Sequence, residues 1–227
     1  MLSTIRHDAL FDVMRANRLP TTIIGCGAIG SRIYLSLIEL GLSNITAYDA
    51  DIVESHNIAN QAFSIGDIGL PKVDALAHVW SRKSYRPPSV CPTQRINAFV
   101  RPDSGITLRG NVFLCVDSFA ARREIAPMLR TGSVYRVFDT RTASTHSNLV
   151  NFNPNDDADF ARWEASLGSD EPDQSELSAC GSAISMGPTA AIIANLAVWE
   201  YMNWIESPPA CNKQVNIFLK PFGAHAA

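Results

Sequence analysis

The residues whose types and spacing could do chemistry begin with the turn Gly25-Cys26-Gly27-Ala28-Ile29-Gly30 and with Asp49. The glycines follow a β-branched run, Thr21-Thr22-Ile23-Ile24, and precede an apolar helical pattern, so a buried strand turns sharply into a helix. In such a turn the first glycine permits the bend. The second lets backbone approach a ligand, and the third lets helix and strand pack closely. The unpaired amides of the helix start then face an anion. Asp49 ends the next strand, where a carboxylate accepts hydrogen bonds from ribose hydroxyls. Turn and aspartate together indicate a nucleotide, and they fit NAD and an adenosine nucleotide equally well.

The elements that position these residues alternate strand and helix over the first 140 residues. Strands are predicted over 21–25, 44–48, 89–96, 112–116, 134–139 and 145–152, with helices over 28–41, 71–83 and 118–130. Gly41 closes the first of these helices, and Pro71 suits the first position of the second. Residues 50–70 form an irregular polar loop. A helix follows from Pro188 to about Trp204 and a closing strand from Gln214 to Leu219. This pattern is an α/β, doubly wound, Rossmann-like sheet, mostly parallel, with an antiparallel C-terminal extension. An amphipathic helix is expected within residues 1–20. The acidic run 153–178 reads as a solvated loop.

Composition narrows the class. The 227 residues are 46% apolar and 18% charged, enough to bury a large core, and 1–227 reads as a single nucleotide-binding domain. A net charge of −3 gives no electrostatic footprint for nucleic acid or for an anionic membrane. No signal peptide or bilayer-spanning run is expected, which points to the cytoplasm. The five cysteines are widely spaced and form no C-x-x-C pair, so neither a zinc site built from such pairs nor a disulfide framework is expected. Cys26 and Cys115 sit in apolar strand contexts and read as inert core residues.

The most specific stretch is Asp49-Ala50-Asp51-Ile52-Val53-Glu54-Ser55-His56-Asn57-Ile58-Ala59-Asn60-Gln61, followed by Gly69-Leu70-Pro71-Lys72. Val112-Phe113-Leu114-Cys115-Val116-Asp117 comes later, with Arg122 and Arg123 one turn on. Here the sequence resembles the ThiF/MoeB/HesA superfamily, which includes the ubiquitin-activating enzymes. That family carries D-x-D-x-V-x-x-S-N-L-x-R-Q, then G-x-P-K, then an apolar strand ending in T/V-D. The resemblance covers residues 21–140 and, more weakly, 180–205.

It implies ATP and Mg²⁺ as cofactors. Gly25, Gly27, Ala28, Ile29, Gly30, Asp49, Asp51, Asn60, Gln61 and Lys72 are then the nucleotide-binding positions. Asp49 would hold the ribose, Asn57 and Gln61 would line the phosphate path, Lys72 would contact the phosphates, and Asp117 would bind Mg²⁺. Lys72, Asp117 and Asn57 are the implied catalytic set. The chemistry suits these types. When a carboxylate attacks an α-phosphorus, two anions meet and charge builds on the leaving pyrophosphate, which a lysine, a metal and helix dipoles offset. Plainer readings stand beside these: a solvated Lys72, and Asp117 or Ser118 as a helix N-cap.

One departure matters. Where the family has an arginine before the glutamine, this chain has Asn60. Loss of one aligned donor typically costs on the order of 10²–10³ in rate. Arg6, Arg15 and Arg18 are candidates to replace it, because family dimers lend an N-terminal arginine across the interface. Cys180 lies where some family members place a thioester-forming cysteine; the plainer reading is a small residue packed at a helix start. The acidic segment occupies the family's crossover-loop position.

The resemblance implies an adenylyltransferase that activates the C-terminal carboxylate of a small ubiquitin-like or sulfur-carrier protein, as a homodimer. The alternatives are a nucleotide-binding scaffold of the same fold and, with less support, an NAD-dependent oxidoreductase.

Overall fold

The computed structural model describes residues 9–168 and 186–227. Eight strands form one sheet in the order β3-β2-β1-β4-β5-β6-β7-β8: β1 (Thr21–Ile24), β2 (Ile45–Tyr48), β3 (Gln94–Ile96), β4 (Gly110–Leu114), β5 (Val134–Thr142), β6 (His146–Phe152), β7 (Gln214–Leu219) and β8 (Phe222–Ala226). The first five in that order are parallel. β6, β7 and β8 continue antiparallel. β1 and β4, every residue buried, pair as Thr21 with Asn111 through Ile24 with Leu114. Chain order reverses on either side of β1, so the crevice at its carboxyl end is where a sheet of this kind binds ligands.

Helices cover both faces, as the doubly wound pattern predicts. On one face lie α2 (Gly30–Glu39), α3 (Lys72–Ser84) and α6 (Gly187–Glu206), burying Ile33, Leu37, Leu76, Ile193 and Tyr201. Tyr201 anchors an aromatic group with Phe113 and Phe138, with ring centroids 5.6 and 6.1 Å away. On the other face lie α4 (Phe119–Leu129) and α5 (Asp157–Ala165), burying Ile125, Leu129, Phe160 and Trp163. α1 (Val13–Arg18) is shorter than the expected N-terminal helix. It packs at the amino ends of the strands, where Asn17 accepts the amides of Ser43 and Asn44. Among the described residues, no helix is long and apolar enough to cross a membrane.

The acidic stretch needs correction. Its first half is the helix α5, not a solvated loop. The Asp156 side chain accepts the amide of Asp159 and caps it, and the acids of the first turn favour that end of the helix dipole. Phe160 and Trp163, three apart, then bury one face, and Trp163 stacks on Phe152 at 4.7 Å. Counting acids concealed two aromatics at helical spacing. Residues 169–178 and Cys180 lie outside the described residues. β8 also went unforeseen, because Pro221 and Gly223 obscure a short edge strand.

Beneath α4 and α5 sits a charged centre. Asp139 of β5, fully buried, accepts Arg122 Nε at 2.8 Å, Arg141 Nη2 at 2.7 Å and Trp163 Nε1 at 2.8 Å. Arg122 also donates to the carbonyls of Ser118 and Thr140, which ties the loop after β4 to β5. Removing one member strands an ion in a dry site. Asp139→Leu is therefore expected to lower the free energy of unfolding by about 3–5 kcal/mol in urea titrations, with part recovered when Arg122→Met is added. A loss below about 1 kcal/mol would contradict this account.

Candidate active site

The turn from β1 into α2 is built on contact distances that exclude side chains. Gly25 has φ +88°, and a Cβ there would lie 2.7 Å from the carbonyl oxygen of Cys115. At Gly30 a Cβ would lie 1.8 Å from the carbonyl oxygen of Gly25, so α2 starts directly against the turn. Gly27 differs: a Cβ would meet nothing within 4 Å. Its missing side chain serves open space, which is what close approach of a ligand to backbone requires. Ile29, at the N-cap of α2, supplies no side-chain acceptor to the helix start.

That open space is a cleft of about 280 Å³ at the carboxyl ends of β1, β2 and β4. Gly25, Gly27, Asp49, Asp51, Lys72 and Asp117 line it together. Apolar walls come from Ile24, Val100, Ala121 and Ile125. At its rim the Arg101 guanidinium sits 4.9 Å from the Phe99 ring and 3.8 Å from a Glu124 oxygen. A second cleft of about 410 Å³ shares Ala50, Asp51 and Lys72 with the first and adds Glu54, His56 and Asn57.

Asp49 closes the turn. One carboxylate oxygen accepts the Cys26 amide at 2.6 Å and the other the Asp51 amide at 2.8 Å. A carboxylate has about four acceptor positions, so two remain for the hydroxyls of a ribose. Burial pushes the Asp49 carboxyl above its ordinary range, against the opposing pull of the Cys26 amide and Lys72. Lys72 is buried, with Nζ 2.7 Å from Asp51, which rules out the solvated reading. Ser118 accepts the Ala121 amide and is the N-cap of α4, so Asp117 is not needed as a cap and stands exposed at the cleft.

The other predicted positions fall outside the first cleft. Asn57 Oδ1 accepts the Glu54 amide at 2.9 Å and shapes a one-turn helix over Ser55–Asn57. Asn60 and Gln61 line neither cleft, and each carries a buried side-chain oxygen without a donor among the described residues. Their loop is stitched to α2: the Ala62 amide donates to Ser31 Oγ at 3.0 Å and Arg32 Nε to the Asn60 carbonyl at 3.3 Å. Ala28, Ile29 and Gly30 serve packing and the helix start.

Arg15 and Arg18 lie on α1, at the opposite end of the strands from the cleft of their own chain, and Arg6 is outside the described residues. Sequence reading missed Arg32 and the Phe99–Arg101–Glu124 rim. The signal for Arg32 was its place, two residues after the third glycine. Nothing in pattern or spacing marked the rim.

Burial disfavours the thiolate form of the thiols in this region. Burial pushes Cys26 well up, and Cys115, which lines the cleft, is pushed up to about 12. Among the described residues, no group of three or more His, Cys, Asp or Glu is placed to hold a metal. A Mg²⁺ held by one carboxylate, water and substrate phosphates needs no such cage, and Asp117 fits that arrangement.

The ThiF family profile matches residues 6–222. The chain belongs to the ThiF family. Among solved structures, the fold is similar to PaaA in its selenomethionine form (17% identity, TM-score 0.69) and to E. coli MccB with ATP (15%, 0.69). It is also similar to E. coli MccB with AMPCPP and MccA (16%, 0.69). Each comparison covers 95% of this chain and 65% of the other, so the chain spans about two thirds of these relatives' length. No curated protein matches the sequence significantly. At these identities the likeness concerns the fold.

The glycines make a paired prediction. Gly30→Ala should lower the unfolding free energy by about 2–4 kcal/mol, because helix and turn must separate. Gly27→Ala should leave the thermal midpoint unchanged and weaken ATP binding on the order of tenfold, measured by calorimetry. Gly27→Ala binding ATP as the wild type does contradicts the assignment of the open space.

Proposed function

We propose that this chain is an ATP- and Mg²⁺-dependent adenylyltransferase acting on the C-terminal carboxylate of a small protein or peptide of ubiquitin-like or sulfur-carrier type. One observation carries the reading. Gly27's empty side, the two free acceptor positions of Asp49, Lys72 and Asp117 all face one cleft at the switch point of the sheet. The relatives crystallised with ATP and with MccA support a nucleotide and a peptide acceptor.

In this reading Asp49 accepts the ribose hydroxyls, and the triphosphate runs past Gly27 and the start of α2 towards Lys72. The acceptor's carboxylate oxygen forms a bond to the α-phosphorus as the bond to the bridging oxygen of pyrophosphate breaks. The bonding pair leaves on pyrophosphate, and no proton transfer is required. Lys72 exchanges its contact with exposed Asp51 for phosphate oxygens, which follow the same charge preference at close range. Asp117 would hold Mg²⁺, which would supply charge neutralisation to the phosphates. The thiols of buried Cys26 and half-buried Cys115 take no part in this reading. Cys180 remains the candidate for a following thioester. A homodimer would bring the α1 arginines to a partner's cleft, and the cytoplasm would supply the ATP that the reaction needs.

A second reading, a scaffold that binds nucleotide without turnover, draws on Asn60 in place of an arginine. ATP–pyrophosphate exchange in the presence of a synthetic peptide ending in Gly-Gly separates the two. The adenylyltransferase gives exchange that depends on peptide and Mg²⁺ and falls on the order of 10²–10³-fold in Asp117→Asn. ATP binding with no exchange favours the scaffold.

A further inference from the structure

The first turn of α2 holds a cation that the site as described does not use. Arg32 is the third residue of the helix that opens from the glycine turn. Its Nε donates to the main-chain carbonyl of Asn60 at 3.3 Å. Among the described residues no carboxylate lies within ion-pair distance of it, and neither terminal nitrogen of the guanidinium has a hydrogen-bond partner. The guanidinium lies at the backbone of residues 59 and 60. A Cβ added at Gly187 would stand 3.1 Å from the Ala59 carbonyl oxygen, 3.4 Å from Asn60 Cα and 3.5 Å from Arg32 Nη2. Ser31 Oγ, holding the Ala62 amide, fixes the same loop against the same turn.

A guanidinium held by one N–H, its terminal nitrogens without a partner among the described residues, loses less rotamer entropy on binding an anion than a free one. Its planar fork matches the oxygens of a phosphate, two N–H bonds at a time. Arg32 lines neither cleft, but it sits in the first turn of the helix whose start faces the first one, so the anion offered to its fork is the triphosphate of a nucleotide bound there. Asn60, whose carbonyl holds it, brings a side chain with no charge of its own. Resting on the nucleotide reading above, we propose that Arg32 provides the guanidinium contact to the triphosphate that Asn60 does not, with the charge delivered from the helix instead of from the loop. The chain thus keeps the number of cations facing the phosphates while changing the element that carries one of them. The competing role is mechanical: Arg32 only ties α2 to the 59–62 loop.

The two roles separate when ATP and adenosine are compared by calorimetry, with the thermal midpoint as control. Arg32→Ala should weaken ATP binding about 10- to 100-fold. Adenosine affinity and the midpoint should stay at wild-type values. Adding Asn60→Arg to Arg32→Ala should restore most of the lost ATP affinity. Equal weakening of ATP and adenosine together with a lowered midpoint would overturn the proposal in favour of the mechanical role, as would unchanged ATP affinity. Failure of Asn60→Arg to restore binding would also overturn it, because the two positions would not serve the same phosphates. A wild-type protein that does not bind ATP overturns the nucleotide reading itself. A wild type that binds ATP, beside an indifferent Arg32→Ala, overturns only the assignment of Arg32.

Discussion

The structure depends on how closely two pieces of backbone approach in the turn after β1. The carbonyl of Gly25 lies where a side chain on residue 30 would stand, and the carbonyl of Cys115 lies where one on residue 25 would stand. These contacts bring α2, β1 and the end of β4 together with nothing between them. Asp49 then fastens the turn to β2 through the Cys26 amide. From that packing follow the direction of α2, the exposure of its first amides, and a cleft bounded by β1, β2 and β4. Larger residues at 25 or 30 would push the helix away and leave no common volume for Asp49, Lys72 and Asp117 to line.

Charge is organised around the cleft on two levels. Along its walls, Asp49, Asp51, Asp117 and Glu124 outnumber Lys72 and Arg101, so the lining has no excess of cations for a triphosphate. Lys72 is held by Asp51, whose carboxylate is more than half exposed, so the pair is screened and readily rearranged. Behind the wall, buried Asp139 gathers Arg122, Arg141 and Trp163, and Arg122 grips the carbonyl of Ser118 beside Asp117. The exposed pair can change partners, whereas the buried one fixes the position of the loop that carries Asp117. A net charge of −3 is compatible with such local order.

Much of this was legible in the sequence. The strands β1 and β4 show as β-branched and apolar runs, and the turn glycines and Asp49 show by spacing, because local sterics dictate each of them. Lys72 and Asp117 were legible through motif order, and their immediate neighbours settle the plainer readings: Ser118 takes the capping role and Asp51 takes the lysine. What could not be read arises from long-range contacts. Asp156 and its neighbours look like a solvated acidic loop until Phe160 and Trp163 find β5 and β6 to pack against. Asp139 carries no local sign that two arginines will converge on it from residues 122 and 141. Arg32 looks like any surface arginine on a helix until the loop at residues 59–62 folds back to meet it. Asn57, expected on the phosphate path, gives its side-chain oxygen to the Glu54 amide and lines the second cleft with Lys72.

The central claim is that the cleft at the end of β1 holds an adenosine triphosphate, with the phosphates over Gly27 and a metal at Asp117. Calorimetric titration of the wild-type protein with ATP and with NAD, each with and without Mg²⁺, tests it most directly. The account predicts saturable ATP binding that is tighter with Mg²⁺ in the wild type and insensitive to Mg²⁺ in Asp117→Asn, with NAD binding more weakly than ATP. NAD binding tighter than ATP, or ATP binding that ignores Mg²⁺ in the wild type, contradicts it.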